Sequence, residues 1–392
     1  MRILHVGKYY PPFVGGTELY THQLVVHQSR TAKVTVVVSN EQPKTQYETR
    51  DGAQVVRVAR LGVVASMPVT PTMPFHIRKV PADLIHMHMP NPAGCLAYLA
   101  SGHKGKLVIT HHCDTFGRAT LRKMSDPVVR TVMHKASRII VTTKSYLDSS
   151  PELKDFYQKC QVIPLGIDTA RFDHVKAEEV RAFREKYGSR ILACVGRFVP
   201  FKGFDYAIRA VAKVNATLLL AGEGPAESSL RQLAKDCGVA DRVHFLGPVP
   251  NEKIPALLAA SSVLLFPSTR RTESFGYSQL EAMAAGIPVI NTAIRSGVPE
   301  ISVDGLTGFT IPPMDHAALA AAVSVLLEDG ALRARFGEAG IARVRDNYTL
   351  RQMTDRTKDL YETVLVPGQR SDVYAGLVNL GAPTVQTETV SQ

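Results

Sequence analysis

The chain has 392 residues, more than one ordinary hydrophobic core holds, and this length predicts two domains. Hydrophobic residues make up 45% and charged residues 21%, a balance typical of folded globular proteins, and no apolar run reaches the roughly 18 residues of a membrane-spanning helix. The net charge of +11 predicts an anionic partner, while the five scattered cysteines, without a C-x-x-C pair, argue against a disulfide framework or a zinc cage.

The excess of positive charge is confined to the first part of the chain. Residues 1–165 hold 21 Lys and Arg against 10 Asp and Glu, whereas residues 166–392 hold 25 of each. The densest basic segment, residues 118–138, fits equally a helix docked on an anionic membrane surface and a solvated helix. Because no nucleic-acid motif accompanies this charge, we expect no nucleic-acid partner.

The N-terminus has the pattern of a β-strand. Residues 1–7 lack the long apolar core of a signal peptide, which predicts a cytoplasmic protein. If the basic half docks on lipid, the protein is peripheral on the inner face of the cell membrane.

Short apolar runs alternate with helical patterns along the chain, as in β-α-β units with parallel sheets. In the first half, strands are predicted at residues 2–6, 33–39, 54–58, 84–86, 106–110, 139–142 and 160–163. In the second half, they are predicted at 191–195, 217–221, 243–246, 263–266, 289–291 and 308–311. Helices are predicted between the latter, at 204–214, 226–237, 254–260, 276–285 and 317–327.

Two successive series of this kind predict an α/β protein with two Rossmann-like, doubly wound domains facing a central cleft. The predicted boundaries are 1–165 for the first domain and 166–347 for the second, with the break in the Pro- and Gly-containing segment 164–172. A last helix is predicted at 348–365, returning to the first domain, and residues 366–392 are predicted to be a loose tail.

Two glycine-containing loops follow strands and precede helices. Gly15 and Gly16 come after the first strand, where paired glycines let backbone N–H groups approach a phosphate. Arg197 and Lys202 follow the first strand of the second half, and two cations five residues apart at a helix start suit a diphosphate. The alternative for the second loop is a pair of surface cations.

A third motif carries two carboxylates. Glu273 lies in the loop before the 276–285 helix and Glu281 lies inside that helix. Glu273 is placed to accept hydrogen bonds from sugar hydroxyls, and Glu281 is placed to reach a ribose. The alternative is two solvated helix glutamates.

These motifs together resemble the retaining glycosyltransferases of family 4, which have the GT-B fold. The resemblance rests on Gly15-Gly16, on Gly-Arg197-x4-Lys202-Gly, on Gly222-Glu223-Gly224-Pro225 and on two glutamates separated by seven residues. Pro164-Leu-Gly-Ile-Asp168 is similar to the interdomain crossover of the family, with Leu165 in place of the usual Asn. Residues 297–308 are similar to its late signature.

The resemblance implies a role for each matching residue. The donor diphosphate is assigned to Arg197 and Lys202 with Gly15 and Gly16, and the transferred sugar to Glu273 and the backbone amides of Ser274, Phe275 and Gly276. It further implies that Glu281 binds the ribose, that the backbone near Val249 receives the base, and that Glu223 shapes the donor pocket. A histidine after the Val-Ile-Thr strand contacts the donor sugar in this family, and His112 matches it best, with His111 as the alternative.

The remaining histidines allow two interpretations. His86, His88, His111 and His112 follow neighbouring strands, as metal ligands would. Packing or cleft-wall roles fit His86 and His88 better, and we expect no metal and no cofactor. Asp114 is assigned to the acceptor.

The expected reaction is hexosyl transfer from a nucleotide sugar, with mannose from GDP-mannose favoured by residues 267–276 and 289–293, which resemble those of bacterial mannosyltransferases. The sequence holds no Asp-x-Asp motif, so Arg197, Lys202 and helix N-termini would stabilise the leaving diphosphate. The expected acceptor is a lipid-linked oligosaccharide or polysaccharide. The alternatives are a UDP-sugar donor, a sugar-nucleotide epimerase, a non-catalytic nucleotide-sugar-binding protein and a dinucleotide oxidoreductase, although the last lacks G-x-G-x-x-G at its opening.

Overall fold

The computed structural model describes residues 1–13, 15–64, 67–115 and 119–366, and only the backbone of residues 119–124. Arg118, the side chains of Arg122 and Lys123, and the predicted tail apart from Val366 therefore lie outside the described residues.

The first half of the described chain folds around one large sheet. Its strands are β1 (Arg2–Val6), β2 (Lys33–Ser39), β3 (Gln46–Arg50), β4 (Ala53–Val58), β5 (Gly62–Val64), β6 (Met67–Val69), β7 (Leu84–Met89), β8 (Lys106–His111), β9 (Arg138–Val141) and β10 (Cys160–Val162). The helices are α1 (Gly16–Gln28), α2 (Met73–Lys79), α3 (Pro92–Ser101), α4 (Ala119–Lys135) and α5 (Lys144–Ser149).

Within those residues the strand order of the sheet is β10-β9-β8-β7-β1-β2-β4-β3. β3 pairs antiparallel with β4, and the other neighbours are parallel. β5 and β6 form a separate antiparallel pair. The sequence patterns missed β3 because its side chains are largely exposed, which removes the apolar run by which the other strands were recognised.

The second half contains a parallel sheet. Its strands are β11 (Ile191–Val195), β12 (Thr217–Ala221), β13 (Val243–Gly247), β14 (Val263–Leu265), β15 (Val289–Thr292) and β16 (Gly308–Ile311), in the order β13-β12-β11-β14-β15-β16. Its helices are α6 (Ala170–Asp173), α7 (Ala177–Tyr187), α8 (Phe204–Val211), α9 (Glu227–Asp236), α10 (Ile254–Ala260), α11 (Tyr277–Ala284), α12 (Val298–Ile301), α13 (His316–Glu328) and α14 (Gly330–Asn347).

The central parallel strands of both sheets are buried on both faces, which explains their nearly continuous apolar sequences. Ile3 and Leu4 are adjacent in β1 but belong to different apolar clusters, one on each face of the first sheet. Ile191 and Leu192 divide in the same way in β11. The architecture confirms the predicted α/β class with two doubly wound sheets.

The last described helix, α15 (Leu350–Leu365), packs on the first sheet although it follows the second. Thr349 and Gln352 form a capping box, which satisfies N–H groups at the start of α15. Met353, Leu360 and Tyr361 are buried in the same cluster as Ile3. Among the described residues, every helix is too short or too polar to cross a bilayer.

Strand order predicts where a ligand binds. In the first sheet the order reverses between β1 and β7, and in the second it reverses between β11 and β14. Open α/β sheets bind ligands in the crevice outside the carboxyl ends of the strands at such a reversal. We therefore expect a ligand-binding site at the loops that follow β1, β7, β11 and β14.

Candidate functional site

Lys202 and Glu273 meet where the loops after β11 and β14 come together. The Lys202 Nζ lies 2.5 Å from the Glu273 Oε2, and the two side chains are only 16% and 12% exposed. The ammonium also lies 5.0 Å from the centre of the Phe266 ring. The strand reversal therefore holds an ammonium group and a carboxylate side by side. The ammonium can bind the phosphate of a phosphorylated sugar, and the carboxylate can accept hydrogen bonds from the sugar hydroxyls.

The backbone of the Lys202 loop depends on glycine. Pro200–Lys202 form one turn of 3-10 helix that ends at Gly203, whose φ of 68° is in the left-handed region. A Cβ at Gly203 would also collide with the carbonyl oxygen of Pro267 in the loop after β14. The absence of a side chain at Gly203 therefore lets the two loops approach closely.

Arg197 precedes this turn and is exposed. In the described part of the chain its side chain has no hydrogen-bond or ion-pair partner, so the guanidinium is available to an anion. The next residue, Phe198, donates its backbone N–H to the Glu223 carbonyl oxygen at 2.8 Å, which ties the loop after β11 to the loop after β12. Glu223 acts on the loop through its backbone here.

The start of α11 provides backbone donors close to Glu273. Gly276 has a φ of 85° and immediately precedes α11. Phe275 is buried and anchors this turn in the apolar core. Within the described hydrogen-bond pattern, the N–H groups of residues 274–276 have no backbone acceptor, and such free amides at a helix start can bind an anionic group.

Glu281 is buried in α11, and burial raises its pKa to about 7 although Arg171 opposes the shift. The Arg171 Nη1 lies 3.9 Å from the Glu281 Oε1, and its Nη2 donates to the Asn251 carbonyl oxygen at 2.5 Å. Val249 is partly buried in the apolar cluster nearby. Arg171 therefore links the residue assigned to the ribose with the loop assigned to the base, a role that sequence analysis missed.

On the opposite side, the loop after β1 carries Gly15 and Gly16. Gly15 is extended and lies against the Glu18 carboxylate, whereas a Cβ at Gly16 would meet no atom of the described residues within 4 Å, apart from its chain neighbours and its own helix backbone. The open space beside Gly16 leaves room for a ligand at the start of α1. Gln23 of α1 donates from its Nε2 to the Tyr277 hydroxyl of α11 at 3.0 Å, so this helix contacts the second half directly.

His112 and Asp114 follow β8. His112 is buried, which lowers its pKa to about 3 with a further contribution from His111, and the ring is neutral. Asp114 accepts a hydrogen bond from Arg271, which lies two residues before Glu273. This ion pair, in which Asp114 is buried and Arg271 is partly exposed, joins the two halves across the cleft. The sequence offered no indication of it, because the partners lie 157 residues apart.

Among the side chains that the structure describes, two groups have a geometry compatible with a metal ion. They are His5, His86 and His88, and His111, Asp114 and Glu152, with ligand atoms within 4.8 Å of one another in each group. The members of the second group already have partners: His111 contacts Tyr146 and Glu152, Glu152 accepts from Thr115, and Asp114 accepts from Ser150 and Arg271. A hydrogen-bonded network accounts for this group without an ion.

Comparisons with known families cover most of the chain. The family model described as Glycosyltransferase Family 4 matches residues 14–171, and the one described as Glycosyl transferases group 1 matches residues 175–343. The change from one match to the next falls between the two sheets.

Three named relatives match over most of their length. A D-rhamnosyltransferase of Pseudomonas aeruginosa is 30% identical, over 89% of this chain and 92% of its own. The O-antigen chain mannosyltransferase C of Escherichia coli is 29% identical, over 93% and 99%. A GDP-mannose-dependent alpha-(1-6)-phosphatidylinositol monomannoside mannosyltransferase of Mycolicibacterium smegmatis is 30% identical, over 91% and 97%.

Among solved structures, sucrose-phosphate synthase from Thermosynechococcus elongatus superposes with a TM-score of 0.78 at 21% identity. The match covers 93% of this chain and 98% of the other. The two proteins therefore share the arrangement of both sheets.

Proposed function

We propose that this chain, which belongs to the family 4 glycosyltransferases with the GT-B fold, transfers mannose from GDP-mannose to a lipid-linked oligosaccharide or polysaccharide acceptor. The reaction retains the configuration of the anomeric carbon and requires no metal ion. The observation that carries the proposal is the contact between Lys202 and Glu273 at the strand reversal of the second sheet.

Charge complementarity supports the binding mode. Lys202 and the free guanidinium of Arg197 bind the donor diphosphate, while Glu273 and the amides of residues 274–276 hold the transferred sugar. As the bond between the anomeric carbon and the diphosphate breaks, negative charge grows on the diphosphate, and fixed cations stabilise that charge. This replaces the metal ion that an Asp-x-Asp motif would hold.

Retention follows from attack on the face from which the diphosphate leaves. The acceptor hydroxyl oxygen bonds to the anomeric carbon, the carbon–oxygen bond to the diphosphate breaks, and a phosphate oxygen takes the hydroxyl proton. The sugar is oxocarbenium-like in the transition state. The His112 ring is neutral and contacts the sugar, and no separate general base is needed.

The donor and the acceptor are supported by the relatives. The Mycolicibacterium enzyme is GDP-mannose-dependent by name, and the Escherichia coli enzyme is named for O-antigen chains. An acceptor that carries a lipid would be met at a membrane surface, on its cytoplasmic side.

A docking surface is offered by β5, β6 and α2, where Val63, Val64 and Phe75 are more than half exposed. Residues 52–82 contain no Asp or Glu but do contain basic side chains such as Lys79, and this combination suits an anionic bilayer. In co-sedimentation with phosphatidylglycerol vesicles, we expect Val64→Glu to weaken binding. We expect Leu306→Glu, at an exposed apolar residue of the second half, to leave binding unchanged. Equal binding of the two variants to the vesicles would contradict the proposed membrane contact of this surface.

The central test compares Lys202→Ala with Lys213→Ala, which removes an exposed lysine of the same half. We expect Lys202→Ala to lower kcat by about 10²–10³-fold, by analogy with loss of one oxyanion-hole donor, and Lys213→Ala to retain the wild-type rate. Product NMR reports the anomeric configuration. Full turnover by Lys202→Ala would contradict the proposal, as would inversion of configuration.

Donor choice and metal dependence have separate readouts. GDP-mannose is expected to raise the Tm more than UDP-glucose does, and a ligand at 100 times its Kd adds about 2.7 kcal/mol to the unfolding free energy. Activity is expected to survive dialysis against EDTA. A larger shift with UDP-glucose favours a UDP-hexose donor, donor conversion without an acceptor favours an epimerase, and binding without conversion favours a non-catalytic protein.

A further inference from the structure

Four histidines lie side by side beneath the cleft, at the carboxyl ends of β1, β7 and β8. They are His5, His86, His88 and His112, and each is at most 8% exposed. Burial lowers the pKa of each ring, so all four are neutral. Only His112 has a part in the proposed transfer, and the other three need an explanation because buried polar rings are costly unless they are hydrogen-bonded.

Three of these rings form one continuous hydrogen-bonded line that begins at Gln28 of α1. The Gln28 Oε1 lies 2.8 Å from the His5 Nε2, and the His5 Nδ1 lies 3.0 Å from the His88 Nε2. The His88 Nδ1 lies 3.4 Å from the His112 Nε2. We call Gln28, His5, His88 and His112 the histidine relay.

A neutral imidazole has one ring nitrogen that donates an N–H and one that accepts through a lone pair. The donor and acceptor roles in one contact of the relay therefore determine the roles in the next contact. Because the Gln28 oxygen can only accept, His5 carries its hydrogen on Nε2 and accepts at Nδ1. His88 then donates from Nε2 and accepts at Nδ1. His112 therefore donates from Nε2, and its Nδ1 is left with a lone pair.

The assigned orientation of the Gln28 amide, with its oxygen toward His5, also gives its nitrogen a partner in Tyr361, where a second branch begins. The Gln28 Nε2 donates to the Tyr361 hydroxyl of α15 at 3.3 Å, and that hydroxyl donates to the His86 Nδ1 at 2.5 Å. The His86 Nε2 then donates to the Thr110 hydroxyl at 2.6 Å. Every donor along this branch finds an acceptor, which is consistent with the hydrogen positions assigned to the relay.

We propose that Gln28, His5 and His88 are positioning residues that hold His112 as its Nε2–H tautomer, so that its Nδ1 accepts a hydrogen bond from a hydroxyl of the transferred sugar. The sugar contact rests on the proposed function, whereas the tautomer of His112 is a property of the donor-free chain. The two parts can therefore fail separately.

The tautomer is measured by NMR of the full chain labelled with ring-15N histidine, with the His112 resonances identified from their loss in His112→Phe. We expect His112 to be protonated at Nε2 in the wild-type chain and in His86→Phe, and to become a mixture of tautomers in His88→Phe. His86 is the matched control because it is buried in the same strand but lies outside the relay. Protonation at Nδ1 in the wild-type chain would overturn the proposal, and so would an unchanged His112 in His88→Phe.

Gln28 provides a second pair of variants in case His88→Phe does not fold. Gln28→Glu keeps an acceptor for His5 and is expected to preserve the His112 tautomer, whereas Gln28→Met removes that acceptor and is expected to give the mixture. The same tautomer in both variants would contradict the relay.

Kinetics tests the sugar contact. We expect His88→Phe to lower kcat/KM by about tenfold, the value of one hydrogen bond, without changing the Kd of GDP, which has no sugar to transfer. In a His112→Phe background, His88→Phe is expected to cause no further loss of kcat/KM, because the two residues act through the same contact with the sugar. Additive losses, or a weakened GDP complex, would mean that His88 has only a structural role. A wild-type chain that lacks transferase activity would refute the proposed function and leave the tautomer result standing.

Discussion

At the scale of single residues, Glu281 is a carboxyl group whose environment opposes its ionisation. It is buried in α11, and Arg171, at 3.9 Å, compensates only in part for the loss of water. Its pKa is raised from 4.5 to about 7, so the folded protein holds a proton that the unfolded chain releases between these two values. Its contribution to stability is complete below about pH 4.5 and is lost as the pH rises through 7.

We therefore expect the wild-type chain to lose more stability than Glu281→Gln when the pH rises from 5.5 to 8. The amide has nearly the same shape but does not titrate, and the expected difference is about 2 kcal/mol. Urea unfolding of both chains at the two pH values measures it. If the two free energies change in parallel, Glu281 does not titrate in this range.

Site residues that lie in local motifs are predicted from the sequence better than site residues whose partners are distant along the chain. Lys202 and Glu273 lie in recognisable motifs next to strand ends, and the structure brings them into contact, although their roles stay predictions. Arg271 and Arg171 were missed because their partners, Asp114 and Glu281, are far away along the chain. Nothing in the local sequence around Arg171 indicates that it faces a buried acid.

At the scale of elements, the turn that carries Lys202 depends on Gly203. The protein contains a natural comparison in Gly238, after α9, because the two glycines have nearly the same left-handed φ, 68° and 66°. A Cβ at Gly238 would meet no atom of the described residues within 4 Å beyond its chain neighbours, whereas one at Gly203 would meet the Pro267 carbonyl oxygen. A side chain at either position would have the same unfavourable left-handed backbone conformation. Only a side chain at Gly203 would also collide with a neighbouring loop.

We expect Gly238→Ala to cost about 1–2 kcal/mol, the penalty for a side chain in the left-handed region. Gly203→Ala should cost about 1–3 kcal/mol more because the loops after β11 and β14 must separate. Turnover should fall only in Gly203→Ala, since Lys202 is then displaced from Glu273. Denaturant unfolding and a transfer assay on both variants test this, and equal losses of stability would show that the two loops tolerate separation.

Elements were predicted best where burial imposes a pattern. The central parallel strands of both sheets are buried on both faces and appear in the sequence as apolar runs. β3 and β5 were missed because they lie largely on the surface, where no such pattern is required, and β6 was missed because it has only three residues, too few to show a pattern.

At the scale of the whole molecule, the two halves contact each other through polar groups on both sides of the cleft. Arg271 pairs with Asp114, and Gln23 donates to the Tyr277 hydroxyl. The Glu300 carboxylate accepts the backbone N–H groups of Lys144 and Ser145 at 3.2 and 2.7 Å. No sequence pattern predicts these contacts, because each depends on how the two sheets are placed relative to one another.

Glu300 provides the clearest measurement of this arrangement, because the amides of Lys144 and Ser145 in one half are protected by a side chain of the other. We expect Glu300→Ala to speed hydrogen exchange at these two amides about ten- to a hundredfold, the value of a hydrogen bond to a charged acceptor. Glu338→Ala, which removes an exposed acid of α14, should leave their exchange unchanged. Glu300→Gln keeps an acceptor oxygen and should give an intermediate rate. If the wild-type chain and the three variants show the same exchange rates at these two amides, the two halves are separated in solution. The cleft would then have to close around the donor before Asp114 and Arg271 come into contact.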